Sequence, residues 1–307
     1  MLLIGREVSA QSGKQITSVT HTYTALSGVY ESTPGSEQGE FVYDGQGRIT
    51  SARTVVSSEG FTETFITTYT YDDVAQKSFS QTTLQFNGMN VAFVNMECTL
   101  TDGHVTSMTM SQPQGGGSTM MNYYTLEYDS DGHMVKMTDL DPAHDNRSSV
   151  DVVEWVDGNC VTTTTTSQGH TSVQEHGYDM TRPAPANPVM SYMLLGLPIE
   201  VGALQITLGA IPHWGVLPVN LLVSSKVSSS TRTYSYEYDN DGDINKIEVY
   251  RDGTKTDTYT FGLGSTGIRE VTGDDVRDGK CYSLQGYQTT APRKGLYIRG
   301  SRKVIVK

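Results

Sequence analysis

The sequence predicts an all-β protein. The expected fold is an extended, twisted antiparallel β-meander, either a curled sheet or an open barrel, with one apolar insertion of loops and short helices. Three observations predict it: threonine and tyrosine are abundant, apolar and polar residues alternate, and Asp-Gly pairs interrupt the alternation repeatedly. Thr and Tyr favour half-buried pleated strands, and Asp-Gly corners between alternating residues indicate hairpins, because such turns need positive φ.

Bulk composition narrows the class of protein. The chain has 307 residues, of which 36% are hydrophobic and 18% charged, with a net charge of −12 and a pI near 5.0. This length is sufficient to bury a sizeable core. The acidic balance argues against nucleic acid and anionic membrane surfaces as partners, because phosphate binding needs a basic surface. The apolar runs are too short to predict a transmembrane helix, which needs about 18 residues or more.

Residues 1–15 are interpreted as the remnant of an export signal. The apolar run extends only from Met1 to Ile4, but Val8-Ser9-Ala10 has the small residues of a cleavage site.

Residues 16–261 are predicted to form the meander. The hairpin units share an aromatic or apolar residue, then Asp and Gly, then a β-branched residue. Their spacing is irregular, so they form a degenerate internal repeat. Strands that are neighbours in the sequence are expected to pair. Tyr234, Tyr236 and Tyr238 show the strand period of two and are expected to share one face. The units are 39–55, 95–111, 124–140, 152–167 and 234–261.

Residues 182–224 interrupt the pattern. The segment contains six of the ten prolines and most of the continuous apolar sequence. Proline excludes a central strand and breaks a long helix. We expect a folded insertion, with short helical turns near Met190 to Leu197, that caps or plugs the inner face of the sheet. The alternative is a hydrophobic ligand pocket that uses Met190, Tyr192 and Trp214.

Two acidic corners resemble metal sites: Asp129 and Asp131 in "DSDGH", and Asp239 and Asp241 in "DNDGD". An EF-hand loop needs Gly at its sixth position and a bidentate Glu at its twelfth. Here Gly is fourth, and the twelfth residue is leucine or tyrosine. The corners are therefore interpreted as turns, with weak cation binding as the alternative, and neither a metal nor another cofactor is predicted.

Signatures of catalysis are weak. The sequence contains no GxSxG nucleophile elbow and no HExxH pair. The "GLGSTG" at 262–267 matches GxGxxG, but dinucleotide binding needs this motif between a strand and a helix, and the "IREVTGDD" that follows is not a convincing helix. Cys98, Cys160 and Cys281 lack zinc-site spacing and are interpreted as structural thiols, although one pair could form a disulfide. A hydrolase with paired carboxylates is the least favoured hypothesis.

The hairpins "YTLEYDSDGH" and "YSYEYDNDGDINKI", with the insertion that begins at Asn187-Pro188, carry a resemblance. The chain resembles a family of uncharacterised exported Bacteroidetes proteins with repeated "YEYDxDG" hairpins, over roughly residues 16–261. The resemblance implies export and a β fold, and implies no particular activity.

Residues 262–307 are predicted to form a C-terminal β-tail. "CYSLQGYQTTAPRKGLYIRGSRKVIVK" is similar to the C-terminal sorting tails of Bacteroidetes proteins that use the type IX (Por) route. The chain keeps the Lys-Gly-Leu-Tyr-Ile stretch, whereas Ser283 and Tyr287 depart from the pattern. The resemblance implies sorting to the cell surface.

The leading functional hypothesis is an exported structural or binding protein of the outer membrane, cell surface or extracellular medium, with the periplasm as a further location. It would present a Thr/Tyr-rich sheet, including Tyr234, Tyr236 and Tyr238, to a glycan or protein partner, because exposed tyrosines suit such contacts. The alternative is a carrier or chaperone for an apolar ligand, held by the insertion 182–224. The sequence does not determine the oligomeric state.

Overall fold

A computed structural model of the chain shows a closed antiparallel barrel of 16 strands, followed by a separate four-stranded sheet. The structure describes residues 14–24, 34–44, 48–58, 60–86, 89–113, 117–141, 147–185, 187, 190, 213–265, 281–283, 288–289, 295–299 and 302–306. The barrel strands are β1 (Lys14–Tyr23), β2 (Gly35–Tyr43), β3 (Ile49–Ser58), β4 (Phe61–Asp72), β5 (Lys77–Phe86), β6 (Met89–Thr101), β7 (His104–Pro113), β8 (Thr119–Tyr128), β9 (Met134–Asp141), β10 (Arg147–Val156), β11 (Asn159–Ser167), β12 (His170–Pro183), β13 (Asn220–Val227), β14 (Ser230–Tyr238), β15 (Ile244–Arg251) and β16 (Thr254–Ser265).

The C-terminal strands form the second sheet, in the order β18-β17-β19-β20. These strands are β17 (Cys281–Ser283), β18 (Gln288–Thr289), β19 (Gly295–Arg299) and β20 (Arg302–Val306). They lie within the predicted C-terminal β-tail, whose role in sorting stays a prediction. Within the described part of the chain, no helix is long and apolar enough to cross a membrane.

The predicted antiparallel meander is confirmed. It forms a closed barrel, whereas the sequence predicted a curled sheet or an open barrel. Each barrel strand pairs with its sequence neighbours, and the two terminal strands also pair with each other, from Lys14↔Ser265 to Tyr23↔Asp257. Closure leaves no unpaired strand edge in the barrel, which removes the main route to aggregation of a β-sheet.

The inner wall of the barrel carries the apolar half of the alternation. Cross-strand partners point to the same face, and the pairs Met108↔Tyr124 and Leu126↔Met137 are buried. Residues from strands around the whole circumference join one apolar cluster with them, among them Ile16, Phe41, Met96, Ile247 and Phe261.

Tyrosines at the repeated corners connect neighbouring strands through side-chain hydrogen bonds. In several units the aromatic residue just before or near the corner Asp crosses to a neighbouring strand and donates to a backbone carbonyl close to that strand's beginning. The donor–acceptor pairs are Tyr43 Oη–Ile16 O at 2.6 Å and, at 2.8 Å each, Tyr71–Ile49, Tyr128–Val105 and Tyr178–Cys160. Trp155 Nε1 does the same to Met134 O at 2.9 Å. The repeat thus encodes a recurrent hydrogen bond between strands as well as a turn.

The two ends of the barrel differ. One end, here called the corner end, carries the connections at 44–48, 72–77, 101–104, 128–134, 156–159, 183–220 and 238–244, together with the chain ends of the barrel, Lys14 and Ser265. The other end, the far end, carries the tight hairpins at 58–61, 167–170, 227–230 and 251–254 among its connections.

Residues 213–219 form a rim segment across the corner end. Its backbone bonds three successive corners: Val105 N donates to His213 O at 2.8 Å, Val216 N to Gly132 O at 2.9 Å and Val219 N to Gly158 O at 3.1 Å. A Cβ at Gly132 or Gly158 would lie 3.1–3.2 Å from Val216 or Val219, so glycine leaves room for the segment. The described end of the predicted insertion therefore lies along the rim of the barrel at three neighbouring corners, and capping of the inner face by the insertion stays a prediction.

The outer wall is polar. Positions that point away from the apolar cluster hold mainly Thr and Ser, with charged residues along the length of the strands. Several charges form cross-strand ion pairs, such as Lys136–Glu127 at 2.6 Å and Lys246–Glu237 at 2.7 Å. This distribution is the reverse of that in a transmembrane β-barrel, whose apolar band faces lipid and whose interior is polar.

Candidate functional site

The predicted tyrosine row lies mostly on the inner wall. Tyr234 Oη is 3.0 Å from Ser225 Oγ, Tyr236 Oη donates to Leu222 O, and both rings pack against the apolar cluster. Burial raises the pKa of both phenols. Only Tyr238, at the corner end, is substantially exposed, at 42%. The prediction of an exposed row is therefore corrected: these rings alternate with Ser235 and Glu237, and it is the polar residues that face outward.

Two of the predicted binding residues meet at the corner end. Met190 and Tyr238 line a pocket of about 320 Å³, together with Ile244, Leu263 and Arg182. Met190 is buried, and the guanidinium of Arg182 lies 6.0 Å from the centroid of the Tyr238 ring. This site has the mixed apolar and polar lining of a small-molecule pocket.

Trp214, a further predicted residue, is not part of that pocket. Trp214 belongs to the rim segment, is 5% exposed and packs into the apolar cluster. Tyr192 and most of the predicted short helix lie outside the described residues. In the described part of the insertion, Trp214 is therefore a residue of the apolar core.

The acidic corners are held together by internal hydrogen bonds. Asp129 Oδ1 accepts from the backbone N–H groups of Asp131 and His133, both at 2.9 Å, and its Oδ2 lies 3.0 Å from His133 Nδ1. Although burial opposes it, bonds from His133 and Asp131 lower the pKa of Asp129. One ligand atom from each of these three residues lies within 4.8 Å of the others. Turn formation accounts for these contacts, as predicted, and cation binding stays a prediction.

The corresponding corner at Asp239 uses a cation from the chain itself. Asp239 Oδ1 accepts from the backbone of Asp241 and Asp243, at 2.9 and 3.0 Å. Lys14 Nζ lies 2.8 Å from Asp239 Oδ2 and 3.1 Å from Asp243 Oδ2, and it also pairs with Asp241. Hydrogen bonds to Asp239 and Asp241 raise the pKa of Lys14. The ammonium group thus occupies the position that a bound cation would take.

This corner supports a test of coupling. We expect Asp239→Ala to lower the free energy of unfolding, because the turn amides of Asp241 and Asp243 lose their acceptor and Lys14 loses an ion-pair partner. Lys14→Met should cost less, and the double variant should cost less than the sum of the two, because both remove the same contact. Urea unfolding of the four proteins measures the coupling. Strict additivity would contradict the assigned contact.

The interior also holds polar groups toward the far end. His21 on β1 stacks on Tyr259 at 4.1 Å, with Nε2 2.9 Å from Asp257 Oδ1 and Nδ1 3.5 Å from Glu37 Oε2. Burial works to lower the pKa of His21, but the two carboxylates outweigh it and raise the pKa. His21 thus joins β16, β1 and β2 at the closure of the barrel.

Sequence reasoning missed a groove on the outer wall across β4 to β8, here called the outer groove. It has a volume of about 420 Å³. Register places two parallel rows of outward side chains along it: Thr70, Phe79, Glu97 and Thr109, and beside them Thr68, Gln81, Asn95, Ser111 and Met121. The alternation along each strand indicates which residues point outward. The rows can be recognised only when the pairing register of the strands is also known.

The groove is rich in uncharged hydrogen-bonding groups. Among the described residues, no hydrogen bond engages the amides of Gln81 and Asn95 or the hydroxyls of Thr109 and Ser111. Its acidic residue, Glu97, forms an ion pair with a lysine on the neighbouring strand. The groove therefore offers donors and acceptors without a strong net charge.

The fold and these surfaces define a class: a closed 16-strand antiparallel barrel with an apolar interior, a rim segment bonded along one end and a polar outer wall. Among solved structures, the chain is similar to a porin-like protein from Bacteroides uniformis, with 16% identity, a TM-score of 0.57 and coverage of 83% of this chain and 100% of that one. A porin-like protein from Bacteroides vulgatus matches at 14% identity and a TM-score of 0.48, over 81% and 98% of the two chains. At such low identity, the first match shows a shared fold.

No protein-family model matches the sequence, and no curated protein is detectably similar to it. The assignment of a function therefore depends on the surfaces described above.

Proposed function

We propose that the protein is an exported binding protein of the cell envelope or surface of a Bacteroidetes bacterium, and that it presents its polar outer wall to a glycan or protein partner. The outer groove is the observation that carries this proposal. It is concave, and it displays unused polar groups on a wall whose other charged residues are largely paired with one another.

Several observations support export. The hairpins and the C-terminal tail resemble those of exported Bacteroidetes proteins, and the fold is shared with a protein of Bacteroides uniformis described as porin-like. The polar outer wall favours a barrel surrounded by water, because a Lys or Arg side chain on the lipid face costs about 2–4 kcal/mol at the bilayer midplane. The proposed location is therefore outside the cytoplasm, with the barrel wall in aqueous surroundings.

The pocket beside Met190 and Tyr238 supports a second candidate function, a carrier for an apolar ligand. The apolar side chains in its lining are the favouring observation. The outer groove is preferred because its unused hydrogen-bonding groups are arranged in register across β5, β6 and β7, within rows of outward side chains that extend over five strands.

Cysteine protection in cells tests the proposal. In a Cys281→Ser chain, whose remaining native thiols at Cys98 and Cys160 are buried, Gln81→Cys places a thiol in the outer groove, and Thr166→Cys places a matched exposed thiol on the wall at β11. A membrane-impermeant maleimide should label Thr166→Cys on intact cells. Gln81→Cys should label slowly in cells but as fast as Thr166→Cys in purified protein, because a partner covers the groove.

Two outcomes would contradict the proposal. Absence of labelling at both positions in intact cells, with labelling after lysis, would show that the protein is not displayed at the cell surface. Equal labelling at both positions in cells would mean that the groove carries no partner.

A further inference from the structure

We infer that the outer groove binds an uncharged polysaccharide, laid across strands β4 to β8. This inference rests on the proposed function and narrows its partner to one chemical class. The geometry of the two rows, the chemistry of their side chains and their charge each support it.

The rows give the groove the dimensions of an extended polymer site. Register continues the first row, Thr70-Phe79-Glu97-Thr109, to Tyr123 on β8. Five antiparallel strands at about 4.8 Å spacing make each row about 19 Å long, and the rows lie about 7 Å apart, two residues along a strand. A linear chain can lie between them and contact both along its whole length.

The two rows offer different chemistry. The first carries aromatic rings at Phe79 and Tyr123, which are 38% and 41% exposed. They are three strands apart, or about 14 Å. The second row carries the amides of Gln81 and Asn95. Aromatic faces take the apolar C–H faces of sugar rings, and planar amides, which both donate and accept, suit their hydroxyl groups.

Charge favours a neutral ligand. Glu97 is the charged residue of the groove, and Lys77 pairs with it. The chain as a whole carries −12, which repels polyanions. The rows therefore lack the cationic groups that an acidic polysaccharide would need.

A peptide fits this groove less well. Extended peptides bind sheets mainly by adding a strand at an open edge, where backbone hydrogen bonds provide the affinity. The barrel is closed, so its strands β4 to β8 present their faces and have no free edge. Binding on a face depends on side chains, and those here are mostly hydroxyls and amides.

The test measures binding of the full chain to soluble xylan, mixed-linkage β-glucan, galactomannan and dextran by affinity electrophoresis, with polygalacturonate as the charged comparison. We expect at least one neutral polymer to bind. Phe79→Ala and the double variant Gln81→Ala/Asn95→Ala should each weaken it tenfold or more. Phe61→Ala removes a comparably exposed ring (45%) at the β3–β4 hairpin and should leave binding unchanged.

Unchanged circular dichroism and thermal midpoint confirm that the variants fold. The inference is overturned if no neutral polymer binds, if polygalacturonate binds more tightly, or if binding survives both groove variants. The cysteine experiment distinguishes failure of this inference from failure of the proposed function. A covered groove with no neutral glycan affinity overturns this inference alone, whereas an uncovered groove with no affinity overturns the proposed function as well.

Discussion

Replacing Trp214 with alanine is expected to lower the free energy of unfolding by about 3–5 kcal/mol, the usual cost of removing a large buried aromatic side chain. Trp214 is 5% exposed and packs into the apolar cluster from the rim segment, so its removal leaves a cavity where that segment meets the barrel. Chemical denaturation followed by circular dichroism measures the change.

Val216 provides the matched control. It lies two residues away on the same segment but is 42% exposed. Val216→Ala should change the free energy of unfolding by no more than about 0.5 kcal/mol, as for most exposed positions. Similar small losses in both variants would show that the segment rests loosely on the barrel and does not close it.

The second large effect is a gain of stability. Asp151 on β10 is 1% exposed; Thr165 donates to its Oδ1, while its Oδ2 has no hydrogen-bond partner among the described residues. Burial raises the pKa of this carboxyl above its usual value of 3.8. Asp151→Asn keeps an acceptor for Thr165 and removes the buried charge. We expect it to raise the free energy of unfolding by about 1–3 kcal/mol at pH 7.

The pH dependence of this difference follows from linkage. A carboxyl whose pKa is raised in the folded state destabilises the protein fully above that folded value, and not at all below its unfolded value. The advantage of Asp151→Asn should therefore be greatest at neutral pH and shrink as the pH falls toward about 3.8. Denaturation at several pH values checks this. A difference that is constant with pH would mean that folding does not shift the pKa of Asp151.

Much of the fold could be predicted from local sequence. The alternation around Tyr124, Leu126 and Tyr128 correctly places one buried face, and the Asp-Gly corners correctly mark the hairpins. Closure could not be predicted, because pairing of β1 with β16 joins segments more than 200 residues apart and depends on the accumulated twist and stagger of all the strands.

The candidate site was harder to predict, for a different reason. Alternation shows that Tyr234 and Tyr236 share a face but not whether that face points in or out, and the phenol hydroxyls allowed either interpretation. The structure places them inside, where Ser225 and the carbonyl of Leu222 accept or share their hydrogen bonds. The outer groove depends on register across five strands, which no single stretch of sequence reveals.

The corner glycines show a similar limit. Their positive φ values explain the turns, which the sequence predicts. Gly132 and Gly158 also make room for the rim segment, a role that becomes visible only when residues 213–219 are placed over them.

The central claim is that the outer groove, and neither the barrel interior nor the pocket beside Tyr238, is the binding surface. A crystal structure of the full chain soaked with a neutral oligosaccharide, chosen from the polymer that binds best, tests it most directly. We predict sugar rings between the two rows, with one ring on the face of Phe79 and hydroxyl groups bonded to Gln81 and Asn95. Sugar bound beside Met190 and Tyr238, or inside the barrel, with an empty outer groove would contradict the claim.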